Sequence, residues 1–142
     1  MLRLLPIALL FLSACGGEKD PQVALRKHFQ ESLSGATLVG HFTVQGKTGQ
    51  NEERYEIRSV SHVAGDTWLF TARIKYGDRD VTVPIPLTVK WAGDTPVITL
   101  TDLLIPSVGT YTARVLFYRD QYAGTWSGRN YGGQMFGRIV RK

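Results

Sequence analysis

The last third of the chain gathers the side chains best suited to gripping a ligand. Tyr111, Arg114, Tyr118, Arg119, Tyr122, Trp126, Arg129 and Tyr131 fall within twenty-one positions. Tyr, Trp and Arg are the types that carry binding hot spots, because they bring large contact area with a polar handle. Tyr111, Arg114, Tyr122, Trp126, Arg129 and Tyr131 are the candidate binding set, although aromatic rings at such positions also serve as core or barrel rim. Other chemistry is poorly supported. Gly46-Lys47-Thr48 ends like a phosphate loop, but five residues rather than four separate Gly40 from Gly46, and the stretch reads as a hairpin turn. In Gly124-Thr125-Trp126-Ser127-Gly128 the Ser stands one place too late for a nucleophile elbow. His28, His41 and His62 lack partners at metal-ligand spacing. Asp66, Asp78, Asp80, Asp94 and Asp120 sit in turns, where Asp bonds its own backbone. Asp78-Arg79-Asp80 lacks the ligand count of a calcium loop. No catalytic residue, metal ligand or cofactor is assigned.

Cys15 is the remaining reactive group, and it is the only Cys in the chain. Before it, Arg3 and the amino terminus form a positive region, Leu4 to Leu12 form an apolar run broken by Pro6, and Ser13-Ala14 are small. Such a run of about eleven apolar or small residues is too short to span a bilayer core, which needs ~20 in a helix. Leu12-Ser13-Ala14-Cys15 resembles the lipobox of bacterial lipoproteins. The resemblance implies a thioether to diacylglycerol on Cys15, cleavage of residues 1–14, and a membrane anchor through the acyl chains. An Asp after the Cys marks inner-membrane retention in lipoproteins of diderm bacteria; Gly16 stands there. The resemblance therefore implies the outer membrane of a diderm host, facing the periplasm. In a monoderm host it implies the outer face of the single membrane.

Cleavage would leave 128 of 142 residues, one domain by size. Losing Arg3 takes Lys+Arg from 17 to 16 against 12 acidic residues, a formal charge of +4. The cations are dispersed, so nucleic acid is not an expected partner. With Cys15 committed to lipid, folding rests on burial alone.

Residues 15–20 read as a lipidated polar tether. Asp20 as cap, Pro21 as first helical residue and Ser34-Gly35 as terminator predict a helix over 21–34, with Val23, Phe29 and Leu33 on one stripe. The rest alternates as strands. Val81, Val83, Ile85, Leu87, Val89 and Trp91 share a face, as do Trp68, Phe70, Ala72, Ile74 and Tyr76. Pro84 and Pro86 cannot donate ladder hydrogen bonds, so their strand should be an edge, bent or partly paired. Further strands are expected over Thr37–Gln45, Arg54–Val63, Pro96–Thr101, Thr110–Tyr118, Gln121–Ser127 and Gln134–Arg141, separated by Gly- and Asp-containing turns and by Ile105-Pro106-Ser107. Residues 21–142 thus form one mainly β domain: an antiparallel meander of about eight strands, curled or closed into an up-and-down, calycin-like barrel. Small residues at inward positions, Gly40, Ala72, Ala113, Gly124 and Gly137, are expected to permit coiling and to hollow the interior.

Tyr122-Ala123-Gly124-Thr125-Trp126-Ser127-Gly128 resembles the Gly-x-Trp strand of lipocalin and avidin-type barrels. In those families the motif lies on the first strand, with the Trp closing the barrel base; here it lies near the C-terminus. The resemblance implies the architecture and no ligand.

Three functions fit. The first is a lipid-anchored, non-catalytic module binding a small apolar or amphipathic ligand inside, or an envelope partner at its Arg/Tyr rim. The second is a structural or assembly lipoprotein docked through the Pro84–Pro86 strand. The third, a hydrolase assembled only in the fold, needs His41 or His62 within reach of a hydroxyl and a carboxylate. The anchor has its own test. Cys15→Ser should move the protein from the membrane pellet to the supernatant and abolish metabolic labelling with palmitate; unchanged sedimentation and labelling contradict it.

Overall fold

The computed structural model describes Gly17 and residues 20–142; the lipobox, Cys15 and most of the tether lie outside the described residues. Among the described residues, one helix, α1 (Pro21–Leu33), precedes eight strands. These are β1 (Thr37–Phe42), β2 (Asn51–Ala64), β3 (Thr67–Tyr76), β4 (Arg79–Ala92), β5 (Thr95–Ile105), β6 (Gly109–Tyr118), β7 (Gln121–Ser127) and β8 (Gly132–Val140). Each strand pairs antiparallel with the next, and β8 returns to β1, closing the expected barrel. Closure through β8 and β1 pairs the two strands that would be the edges of an open sheet.

Local chemistry drives the meander. Four hairpins turn on two residues: Gly65-Asp66, Gly77-Asp78, Gly93-Asp94 and Arg119-Asp120. The first residue of each has positive φ, at 53°, 51°, 64° and 54°. That is the backbone twist two-residue hairpins require, and Gly adopts it without a Cβ penalty in three of the four. Alternation then decides what is buried. Trp68, Phe70, Ala72 and Ile74 on β3, and Val83, Ile85, Leu87 and Val89 on β4, all point inward.

The helix closes one end of the barrel. Asp20 Oδ1 accepts from the Gln22 amide at 3.0 Å, and Pro21 occupies the first turn. Gly35, at φ 80°, turns the chain into β1, and its amide donates to the Ile57 carbonyl. Phe29 and Leu33 are the buried residues of α1. Four rings surround Phe29: Trp68 at 5.0 Å, Trp91 at 5.8 Å, Phe70 at 6.0 Å and Phe117 at 6.2 Å, each edge to face. Val23 is not on this stripe. It is 58% exposed, because only the C-terminal half of the helix reaches the barrel.

Strand bounds depart from expectation where the backbone breaks its period. β1 stops at Phe42, short of Gln45. β5 continues through Ile105 instead of ending at Thr101, so Ile105 belongs to the strand rather than the turn. Asp102, at φ 47°, shifts the β5–β6 register between Leu100 and Leu103 and turns Leu104 outward to 68% exposure. Pro84 and Pro86 lie opposite Thr71 and Leu69 of β3. The β4–β5 ladder covers only Thr88–Ala92 with Thr95–Thr99, so the proline half of β4 has one partner, as proline requires.

Phe29→Ala should cost about 3–5 kcal/mol of stability, since it removes the hub of the end cluster. Thermal melting checks this; a loss below about 1 kcal/mol would mean that the helix does not close the barrel.

Candidate functional site

The barrel interior is not filled. A cavity of about 440 Å³ runs from the helix to the opposite end, within the ~300–1,000 Å³ range of small-molecule sites. Its floor includes Leu33, Phe70, Leu87 and Phe117, and its middle Ile74, Ile85, Ile98 and Val115. Ala72 and Ala113 line it too, and their short side chains leave the room.

Aromatic rings surround its mouth. Phe42 meets Tyr76 at 6.4 Å and Trp126 at 5.8 Å; Trp126 meets Tyr111 at 6.3 Å and Tyr131 at 5.9 Å. The Tyr76 and Tyr111 hydroxyls lie 3.3 Å apart. Burial, with the Tyr76 contact second, pushes the Tyr111 phenol up to about 12, so the Tyr111 hydroxyl stays protonated at neutral pH. The Trp126 indole donates to the Thr43 carbonyl at 3.2 Å, fixing its ring. Arg79 also lines the mouth and donates to the Ser107 carbonyl at 3.0 Å.

One carboxylate enters this apolar wall. Glu53 is 5% exposed and lines the cavity. Its Oε2 accepts from the Tyr55 hydroxyl at 2.7 Å and its Oε1 from the Tyr122 hydroxyl at 3.0 Å. Among the described residues no ion pair involves it. Burial raises its pKa from the ordinary 4.5, and the two phenols only partly oppose that rise. Burial and the Glu53 charge together hold the Tyr55 and Tyr122 phenols well above their ordinary range.

Tyr122 reaches Glu53 across two strands. Register places Tyr122 of β7 beside Gly137 of β8, Gly137 beside Gly40 of β1, and Gly40 beside Glu53 of β2. A Cβ on Gly40 would stand 2.4 Å from the Tyr122 hydroxyl, and one on Gly137 would stand 2.7 Å from its ring. These glycines therefore clear a path for a side chain. They do not enlarge the cavity, contrary to expectation for Gly40 and Gly137.

The candidate set divides. Tyr111, Trp126 and Tyr131 line the cavity mouth. Tyr122, 1% exposed, is a core fastening and not a lining residue. Arg114 points outward from β6, where its guanidinium donates to the Leu100 and Ala113 carbonyls and to Thr101 Oγ1. Arg129 is exposed in the loop between β7 and β8, away from the lining. Trp126 also stands at the end opposite the helix; Trp68 is the Trp of the closed base. His62 Nε2 contacts the Gly65 carbonyl at 2.7 Å, and the His41 ring lies 6.2 Å from Phe136. Asp80 pairs with Arg73 through two hydrogen bonds of 2.8 Å. Among the described residues no group of His, Cys, Asp and Glu could hold a metal.

The sequence reading missed Glu53, Tyr55, Phe42, Tyr76 and Arg79. Glu53 sits in Glu52-Glu53-Arg54, a stretch that looks solvated. The available signal was parity: Glu53, Tyr55 and Ile57 share one face. Compared with known proteins, the chain matches no family model, no curated protein and no solved structure.

Because the folded state raises the Glu53 pKa, folding binds a proton above pH 4.5, and the associated stability is lost as pH rises. Glu53→Gln lacks this loss. Its melting temperature relative to the unaltered protein should therefore climb as pH rises from the ordinary glutamate value of 4.5. A difference that stays constant or falls contradicts this placement.

Proposed function

We propose that this protein is a lipid-anchored envelope lipoprotein whose barrel binds a small apolar or amphipathic ligand without transforming it. The observation that carries the reading is the open apolar cavity of about 440 Å³, closed at one end by Phe29 and Leu33 and collared at the other by aromatic rings. Apolar walls with few polar groups are the usual make-up of ligand sites, and burial of apolar surface supplies the affinity. The lipobox resemblance at Cys15 supports attachment to the cell envelope, at the outer membrane facing the periplasm in a diderm host. Among the described residues no helix is long and apolar enough to cross a membrane.

A second reading, docking of an envelope partner, has one observation in its favour. The Arg79–Leu87 half of β4 pairs with β3 alone, which leaves a side where a partner strand could add. Pro84 and Pro86 cannot donate to such a partner, so the interior is the better-supported site.

Ala72→Phe and Ala113→Phe test the cavity. Each puts a benzyl group into free space, so each should weaken binding of the apolar dye phenylnaphthylamine by about tenfold or more while preserving the melting temperature. Unchanged dye affinity in both variants, with folding intact, would place the ligand elsewhere.

A further inference from the structure

The cavity wall is apolar except for a few groups, and one of these is a carboxyl group. Glu53 presents a buried carboxylate with no cation of the described chain paired to it. Each of its oxygens accepts one phenolic hydrogen bond, and a carboxylate oxygen has capacity for another. A buried unpaired carboxylate is costly, and a cation beside it recovers much of that cost. In the β2–β3 register Glu53 stands opposite Tyr76, so the carboxylate lies next to the aromatic collar. The rings of Phe42, Tyr76, Tyr111 and Trp126 gather around the same opening, and the face of an aromatic ring carries negative potential. Rings plus a carboxylate are the pairing that recognises ammonium groups. Arg79, the other charged lining side chain, is held at the mouth by the Ser107 carbonyl.

We infer that the cavity selects amphiphiles with a cationic nitrogen head, seated between Glu53 and the aromatic collar, with the apolar tail running toward Phe29 and Leu33. The inference rests on the interior being the ligand site. An anionic head would face Glu53 directly, and a neutral one would leave the carboxylate unpaired, so head-group charge sets the order of affinity.

Three probes of equal chain length test this in the full chain: octylamine, octanol and octanoate, titrated calorimetrically at neutral pH. Octylamine should bind about tenfold or more tighter than octanol, and octanoate weakest, as expected for one buried charge pair against none. Glu53→Gln should erase the difference in affinity between octylamine and octanol. Far-ultraviolet circular dichroism reports whether that variant folds; the ranking in the unaltered protein stands without it. Three probes bound equally, or octanoate bound best, would overturn the inference and leave the cavity reading standing. No binding of any probe would overturn both. Octylamine preference that survives in folded Glu53→Gln would also overturn it, because the selectivity would then not come from the carboxylate.

Discussion

The barrel depends on how its first and last strands meet. Gly40 of β1 and Gly137 of β8 face each other across that seam, and a Cβ on either would fall within 2.4 Å of backbone oxygen. The space they give up is taken by Tyr122, which crosses both strands and hydrogen-bonds to Glu53. One phenol thereby fastens β7 to β2 over the closing seam. The arrangement is sequence-distant, with sixty-nine positions between the partners, and it exists only once the sheet has closed. It brings a carboxylate indoors, and buried carboxylates are expensive, so the two phenols and the closure are energetically coupled.

Closure alone does not make a site. An eight-stranded barrel is just wide enough either to be filled by its own side chains or to hold one small ligand. Here the two ends are treated differently. At the helix end, Phe29 enters a ring of Trp68, Phe70, Trp91 and Phe117. At the other end, Phe42, Tyr76, Tyr111, Trp126 and Tyr131 stand around the space rather than in it. Between them, Ala72 and Ala113 hold inward positions that larger residues would have filled. The cavity therefore follows from side-chain size on a closed sheet.

Much of this fold was legible in the sequence because its signals are local. Strict alternation over Thr67–Tyr76 and Val81–Trp91 gave both strands and their buried face. Gly-Asp pairs gave the hairpins, and Asp20-Pro21 with Ser34-Gly35 gave the helix. What escaped was set by register. The break at Asp102 hid the second half of β5, and the irregularity between Ile57 and Ser59 interrupts the parity of β2. The same cause divided the candidate site. Tyr111 and Trp126 share the inward parity, whereas Arg114 lies between inward Ala113 and Val115 and so faces solvent. Glu53 was concealed because neighbouring charges made an inward residue look like one of a solvated run. Tyr122 looked like a ligand contact because sequence does not show that two glycines lie between it and Glu53.

The proposed ligand site is the interior and not the outer surface. Methyl-resolved NMR during titration with octylamine tests it most directly. The account predicts saturable shifts in the methyl signals of Ile74, Ile85 and Ile98, which line the cavity, with the exposed Leu104, Leu116 and Val140 unmoved. Shifts confined to the exposed methyls, or no saturable shift at all, would contradict it.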